Sequence, residues 1–468
     1  MKPLSFIICI HSLLLPCIVL AANVSQETPL FFGQSVDKHN PEKKSLTKKT
    51  RRNPSEQDTL RPEDGEKIHS NQQIFGNRGG YIHASLGVDF EYTDNLYNVD
   101  TDKQDNWLTH VSPSVWLTIP RRSRVPLHLA PHNTSPGGTQ FSKPDNYFFN
   151  DYQLYLGAGL DFKDYSENSS LNATDARLEG LLQYNLTHSI TLAVVDRFTR
   201  SQDMFNLTSA TLNNQRIYHS NILTAGVDWQ ISEKFSAKFD YNYFTLTYDD
   251  EENRYFDRAD NGFNFYAFYD YSLKTNFFFQ YRYLDATYDQ QDDNELDFDN
   301  TNTYIYGGIN WKPTIKTTLM GKVGYQQAQF DNKRTADDSP DLFSFELQAN
   351  WQATIKTSLL LDATYSIEQT DTYNALNKKV FAGRLGYRQR FTDRLRGSLD
   401  FIYENSQYNE FDNTSREDDR FFFKPELQYA FRRWLTGSAS YTFDSKNSNK
   451  EYLDYETNIF TFGLKVSF

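Results

Sequence analysis

From residue 79 to the end, the chain is a succession of segments of about 10–14 residues in which apolar and polar side chains alternate. In residues 343–351, for example, every second residue is apolar and the residues between them are polar. Because successive side chains of a β-strand point to opposite faces, each segment predicts a strand with one apolar and one polar face. Taken alone, this pattern fits both a soluble β-sandwich and a transmembrane barrel.

The alternating segments come in pairs, because an aromatic residue closes every second segment just before a short turn. The closing aromatic residues recur at intervals of about 40 residues, with one gap near twice that length: Trp229, Tyr271, Trp311, Trp351 and Tyr429. The connections between these pairs are longer and acidic, as at residues 289–299. An aromatic ring at one interface, with short turns on one side and long loops on the other, is typical of outer-membrane barrels, whose short turns face the periplasm.

The number of segments predicts an all-β fold, a transmembrane antiparallel up-and-down barrel of about 18 strands, with 16 to 18 within the error of the count. An even number of strands places both ends of the barrel on the periplasmic side. Aromatic residues make up 16% of the chain although the mean hydropathy is only −0.69. A barrel accounts for both values, because only alternate residues of its strands face lipid.

The N-terminus predicts export. A basic start at Lys2, an apolar run and the small residue Ala21 are typical of a secretory signal peptide, here residues 1–21. Both cysteines, Cys9 and Cys17, lie inside it, so the mature chain has no disulfide to stabilise it. A closed barrel needs none, since its ladder of hydrogen bonds has no free edge.

Two segments depart from the strand pattern. Residues 22–78 are polar and charged without periodicity, which predicts a disordered periplasmic segment in front of a barrel over residues 79–468. Residues 121–150 form a proline-rich excursion, placed on the periplasmic side by strand parity. We expect this excursion either to fold into the lumen as a constriction or to project toward a partner.

The last strand carries the most specific signal. Phe460, Phe462, Leu464, Val466 and Phe468 alternate with polar or small residues. A strand of this kind ending in phenylalanine resembles the signal read by the bacterial barrel-assembly machinery. The resemblance implies insertion into the outer membrane of a Gram-negative bacterium, with Phe468 as the assembly signal. The expected partners are that machinery, membrane lipid and lipopolysaccharide, whereas the net charge of −13 argues against nucleic acid.

A family resemblance lies near the start of the barrel. Residues 92–97 (YTDNLY), followed by Trp107 and by residues 113–117 (PSVWL), are similar to the opening hairpin of the β-barrel porin family found with bacterial exopolysaccharide gene clusters. In that family an Asp-Asn pair follows the first strand and a Pro-Ser-x-x-Leu-like segment runs along the second. The resemblance implies an outer-membrane channel or scaffold tied to polysaccharide export.

The chain shows no pattern typical of catalysis or of metal binding. Histidines at positions 83, 110, 188 and 219 are scattered near strand ends, and His128 and His132 lie in the proline-rich excursion, where no helix would present them together. The acidic loop at 297–308 lacks the glycine and the bidentate glutamate of a calcium loop. We therefore predict no catalytic residue, cofactor or metal.

The polar faces of the strands predict a pore wall. Acidic and basic residues occur there in similar number, as expected for a hydrated lumen. The residues predicted to line it are Lys238, Asp240, Arg282, Lys322, Glu346, Asp362, Arg384, Arg388, Asp400, Glu404, Lys424, Glu426 and Lys465. Tyr266, Tyr304 and Tyr306 share this face and are placed to stack on sugar rings.

Three functions follow from these features. The first is a porin-like channel, serving passive solute diffusion or exopolysaccharide export, since a barrel of this size encloses an aqueous lumen unless something fills it. The alternative is a non-conducting scaffold that docks periplasmic proteins through residues 22–78 and 121–150. A hydrolase of the outer membrane is the third and most distant.

Overall fold

The computed structural model describes residues 81–119, 151–203, 216–289, 297–331, 339–370, 375–411 and 415–467. The predicted signal peptide, the segment 22–78, the excursion 121–150 and Phe468 lie outside these residues. The described residues form three short 3-10 turns, Ser169–Leu171, Glu251–Phe256 and Glu451–Leu453. They also form 18 strands: β1 (Ile82–Thr93), β2 (Asn106–Ile119), β3 (Tyr152–Tyr165), β4 (Ala173–Asn185), β5 (Ile190–Asp203), β6 (Arg216–Gln230), β7 (Phe235–Tyr248), β8 (Arg258–Ser272), β9 (Thr275–Tyr288), β10 (Asn300–Thr314), β11 (Thr317–Phe330), β12 (Asp341–Thr354), β13 (Thr357–Gln369), β14 (Ala375–Arg390), β15 (Leu395–Glu410), β16 (Ser415–Arg432), β17 (Leu435–Ser448) and β18 (Tyr455–Ser467).

Each strand pairs antiparallel with its neighbours in sequence, and β1 closes the sheet on β18 from Ser85↔Ser467 to Thr93↔Ile459. The prediction of a closed, antiparallel, all-β barrel of about 18 strands is confirmed. In the described part of the chain, no helix has the length and apolar character needed to cross a membrane.

The Asp-Asn pair of the opening hairpin helps to close the barrel. Asp94 accepts hydrogen bonds from the backbone N–H of Asn458 at 2.7 Å and from its side-chain amide at 2.8 Å. The side-chain amide of Asn95 donates to the carbonyl of Glu456 at 3.0 Å and to that of Val99 at 2.7 Å. Both residues therefore tie the first loop to β18, where the two ends of the sheet meet.

Burial follows the predicted alternation. Along β12, Phe343, Leu347 and Trp351 are 65%, 46% and 49% exposed, whereas Ser344 and Glu346 between them are buried. Since a closed barrel has one interior and one exterior face, the exposed apolar side chains form the exterior belt and the polar side chains face the interior. This is the reverse of a soluble protein and is what a lipid environment requires.

The two ends of the barrel differ in their connections. At one end the turns are short, with two residues each at 273–274, 315–316, 355–356 and 433–434. At the other end they are mostly longer, for example residues 94–105. The first residue of β1 and the last of β18 lie at the short-turn end. The aromatic residues that precede the short turns, Trp229, Tyr271, Trp311, Trp351 and Tyr429, are all exposed. They form the ring that the repeat predicts.

Candidate pore constriction

The wall is interrupted at the long-loop end between β12 and β13. The ladder between these two strands stops at Phe345↔Tyr365. Beyond that point β12 remains paired with β11 as far as Asp341, and β13 remains paired with β14 as far as Gln369. The two strands have therefore separated, each keeping its other neighbour.

The end of the β13–β14 hairpin leaves the wall and turns into the lumen. We term residues 366–370 and 375–378 the inner hairpin. In a barrel wall one face of a strand meets lipid, so buried and exposed residues should alternate. In the inner hairpin residues of both faces are buried, including consecutive ones: Ile367, Ala375, Leu376, Asn377 and Lys378.

Side chains from β9, β10 and β11, on the other side of β12, hold the inner hairpin in place. The side-chain amide of Gln326 in β11 donates to the carbonyl of Ile367 at 2.8 Å and accepts from its N–H at 2.8 Å. Asn300 in β10 and Gln369 form a reciprocal amide pair at 3.1 and 2.7 Å, and the Tyr288 hydroxyl donates to Gln369 at 3.2 Å. All of these contacts pass over the inside of β12.

An apolar cluster covers these hydrogen bonds at the long-loop mouth. We term it the mouth cluster: Ala286, Tyr288, Phe298, Ala328, Phe330, Ile367 and Leu376, with Leu342 and Phe411 packed against it. The ring of Phe298 lies 5.5 Å from Tyr288, 6.2 Å from Phe256 and 6.2 Å from Phe411, centroid to centroid. Phe256, Phe298 and Phe411 come from three different loops. Burying a side chain such as Ile367 in the cluster stabilises the inward position by about 1.5–3 kcal/mol.

Replacing Gln326 with Ala should loosen the inner hairpin. Gln326 is fully buried, and its loss leaves the N–H and the carbonyl of Ile367 without their side-chain partner. A buried polar group without a hydrogen bond costs about 1–3 kcal/mol. Hydrogen exchange of the Ile367 amide should become faster. Gln327→Ala is the matched control, since Gln327 is exposed on the other face of the same strand. Equal exchange in the two variants would contradict the proposed role of Gln326.

The residues predicted to line the pore all belong to the described strands, where they alternate with exterior side chains. The structure brings several of them together. Lys238 pairs with Asp240 at 2.9 Å and Lys322 with Glu346 at 2.8 Å. Other members of the set are Arg282, Asp362, Glu404, Lys424, Glu426 and Lys465, of which Asp362 stands opposite Arg384 in the sheet and Lys424 opposite Asp400.

One carboxylate in this set bridges two guanidinium groups. Asp400 accepts from Arg384 Nη2 at 2.9 Å and from Arg388 Nη2 at 2.7 Å. Arg384 and Arg388 lie on the same face of β14, and Asp400 comes from the adjacent strand β15. Asp400 therefore offsets part of the positive charge of the two arginines.

The three interior tyrosines are not open platforms for a sugar. Each ring has a cation over one of its faces: Arg282 over Tyr304 at 4.7 Å, Lys322 over Tyr306 at 4.9 Å and Lys238 over Tyr266 at 5.6 Å. Their hydroxyls are also engaged in two cases, Tyr306 with Ser344 at 2.7 Å and Tyr266 with Gln280 at 2.8 Å. Cation–π packing within the wall accounts for these residues.

Sequence reasoning missed other interior ion pairs. Arg416 and Asp418 pair at 2.5 Å, Arg258 and Asp260 at 3.3 Å, and Arg420 pairs with Asp444 of the next strand. For the first two pairs a signal was present, since opposite charges two residues apart in a strand share a face. The partner of Arg420 depends on the register between β16 and β17 and has no local signal.

The histidines stay apart in the described structure. His110 in β2 meets Asp161 at 2.9 Å, and His219 in β6 meets Asp249 at 2.9 Å. His83 stacks on Trp116 with its ring centroid 3.7 Å away. Within the described ranges, no cluster of three or more His, Cys, Asp or Glu side chains could hold a metal ion.

A closed barrel with an exterior apolar belt and a polar interior defines the class of outer-membrane β-barrels. A family model described as "Putative beta-barrel porin 2" matches residues 148–468, most of the chain. The protein belongs to this β-barrel porin family, which confirms the resemblance at the level of the porin family. The opening hairpin that suggested it lies outside the matched residues. No curated protein gives a significant match to the sequence.

Solved structures with a similar arrangement are bacterial outer-membrane proteins. OccAB4 of Acinetobacter baumannii is 12% identical, with 84% of this chain and 100% of that chain covered and a TM-score of 0.41. OccK2 (OpdF) of Pseudomonas aeruginosa is 10% identical, with 82% and 98% covered and a TM-score of 0.43. The siderophore receptor PirA of P. aeruginosa is 9% identical, with 84% and 81% covered and a TM-score of 0.39. Likenesses this distant carry no information about a substrate.

Proposed function

We propose that the protein is a passive diffusion channel for small hydrophilic solutes, narrowed at its long-loop mouth by the inner hairpin. The observation that carries the proposal is this inward hairpin in a barrel whose other strands present polar, ion-paired side chains to the interior. A barrel of 18 strands is wide enough for an aqueous lumen, so an internal element limits which solutes pass. The predicted lining residues would form the wall along which solutes move.

The proposed orientation places the short turns and both ends of the barrel in the periplasm. Outer-membrane barrels in general have short turns on the periplasmic side and longer loops on the outer side, which supports this orientation. In this orientation the inner hairpin and the mouth cluster stand at the outer entrance. The segment 22–78 would then be periplasmic, and Phe468 would serve the barrel-assembly machinery during insertion.

Diffusion of small solutes is favoured over polysaccharide export. A polymer would have to pass the inner hairpin, which is held by the amide contacts of Gln326 and Asn300. The interior tyrosines, which could have formed a track for sugars, have cations over their rings. The scaffold hypothesis rests on segments outside the described residues.

Conductance and size selection test the channel directly. Purified protein in planar bilayers should give discrete conductance steps. Liposomes that contain it should swell in monosaccharides and disaccharides but not in long oligosaccharides. A variant lacking residues 23–78 should conduct as well as the full chain. A correctly folded barrel that stays silent would contradict the channel and favour the scaffold, and permeation without a size limit would favour polymer export.

Changing the charge pairs of the wall should shift ion selectivity in opposite directions. Replacing Asp400 with Asn removes the carboxylate shared by Arg384 and Arg388, so the wall becomes more positive and the channel more selective for anions. Arg384→Gln, the matched control, makes the wall more negative and should favour cations. The reversal potential in a potassium chloride gradient measures both. Shifts of the same sign, or none, would place these residues outside the conduction path.

A further inference from the structure

Three of the two-residue turns share one construction, although they belong to different hairpins. In the turn at 315–316 the hydroxyl of Thr314 accepts the backbone N–H of Lys316 at 3.1 Å, and in the turn at 355–356 that of Thr354 accepts the N–H of Lys356 at 3.1 Å. Ser272 does the same for Lys274 at 3.2 Å. A hydroxyl that bonds the backbone two residues on fixes the conformation of a turn. The turns therefore present their middle residues in a defined way.

Those middle residues are an apolar side chain followed by a lysine. Leu273 is fully exposed, Ile315 is 72% exposed and Ile355 is 80% exposed. Lys316 reaches across to the next hairpin, where Nζ donates to the carbonyl of Ala353 at 3.3 Å. Its charge is therefore held at the base of the next turn, two residues before the exposed Ile355.

The same pairing of an apolar and a basic residue recurs in the turns from β6 to β17, whereas the turn at 186–189 between β4 and β5 carries no lysine or arginine. Every described short turn from β6 to β17 carries it, and together we term these residues the turn rim: Ile231 and Lys234, Leu273 and Lys274, Ile315 and Lys316, Ile355 and Lys356, Phe391 and Arg394, and Arg433 and Trp434. Only Glu233 and Asp393 oppose these bases within the turns. The opposite end of the barrel is acidic, as in the loop 94–105 with four aspartates and one lysine.

We propose that the turn rim binds the headgroups of anionic phospholipids in the leaflet that it faces. The rim continues the exterior belt, because Ile355 follows the interfacial Trp351 by four residues. At about 3.3 Å per residue along a tilted strand, that distance is about 10 Å. The headgroup region is about 5–8 Å thick on each side of the bilayer, so the turns reach its outer margin.

The chemistry of the rim matches such a headgroup. Apolar side chains that are exposed in a group are unfavourable in water, and the headgroup region is the nearest environment less polar than bulk water. A long basic side chain lays its methylene groups along an apolar surface and directs its charge to phosphate. Each base near an anionic leaflet strengthens the interaction, and several along the rim act together.

Lipid retention in mass spectrometry under native conditions tests the proposal. The detergent-solubilised full chain is given equal amounts of phosphatidylglycerol and phosphatidylcholine with the same acyl chains. Phosphatidylglycerol should be retained in preference. In the triple variant Lys274→Gln, Lys316→Gln, Lys356→Gln, its apparent affinity should fall about fivefold at each altered turn. Ile315→Ser with Ile355→Ser should weaken the same binding without a change of charge.

The matched control removes the same charge from the other end of the barrel, in Lys103→Gln, Lys379→Gln, Lys450→Gln. This variant should retain phosphatidylglycerol like the unmodified protein, and heat-modifiable mobility on gels verifies that each variant is folded. If the first triple variant does not fold, Lys316→Gln and a salt titration replace it, and binding should still weaken in both. Equal retention of the two lipids, or an equal loss of phosphatidylglycerol binding in both triple variants, would overturn the proposal. An acidic protein would then be the better candidate for a partner of the rim. Glycerophosphate binding as tightly as the lipid would reduce the rim to a small-anion site.

Discussion

Replacing residues 367–379 with an Asn-Gly turn is expected to raise the single-channel conductance severalfold. The replacement removes the inner hairpin from the lumen together with the anchors Ile367 and Leu376 of the mouth cluster. The register makes it feasible, because Ser366 stands opposite Val380 and the pair can be joined by a two-residue turn. Large antibiotics should also become more toxic to cells that produce the variant.

The proline-rich excursion provides the comparison. Its sequence predicts either a constriction at the other end of the barrel or a segment that projects toward a partner, and residues 121–149 can be replaced with a Gly-Asn turn in the same way. Folding of both variants is verified by heat-modifiable mobility on gels. If the inner hairpin is the narrowest point, its removal should have the larger effect. Unchanged conductance in a folded 367–379 variant would show that the hairpin does not limit the pore.

Replacing Leu347 with Arg should destabilise the barrel by about 2–4 kcal/mol. Leu347 lies on the exterior face of β12, midway between Phe343 and Trp351, so an arginine there would lie deep in the hydrocarbon. The adjacent Gln348 lies on the interior face opposite Asp362. Gln348→Arg should therefore lower the stability of the barrel by well under half as much, since a carboxylate is close to the new guanidinium.

Urea unfolding of the two variants in lipid vesicles measures the difference between their free energies of unfolding. The pair is closely matched, because the same residue is introduced at adjacent positions of one strand. Similar losses in both would contradict the assignment of faces, since a shift of one residue in register exchanges the interior and exterior sides of a strand.

The wall of the barrel could be predicted from sequence to a large extent. The alternation at residues 343–351 gave the faces of β12, and the aromatic residues before short turns gave the pairing of strands into hairpins. The interior positions of Lys322 and Glu346 followed from the same alternation, although their contact depends on the register between β11 and β12. These features are local, because the environment on each side of a strand selects every second residue.

From the sequence, we expect the excursion 121–150 either to constrict the lumen or to project toward a partner, and it lies outside the described residues. Nothing in the sequence indicates the inner hairpin. Residues 366–378 look like any other strand end with a connecting loop. The prolines of the excursion are recognisable in the sequence because proline restricts the local backbone conformation. The residues that contact the inner hairpin are distant from it in the sequence, so no local pattern reveals these contacts.

By itself, then, the sequence determined a closed barrel of about 18 strands with an apolar exterior and a polar interior. Only the tertiary structure decided that β13 separates from β12, that its end turns inward and that the mouth cluster holds it there. Gln326 is 41 residues from Ile367, and Asn300 is 69 residues from Gln369. Whether such a pair meets depends on strand order, register and the packing of the loops above them. Alternation is set strand by strand, but a hairpin folds inward only when the buried apolar area and the hydrogen bonds that it gains outweigh the lost pairing with its neighbour.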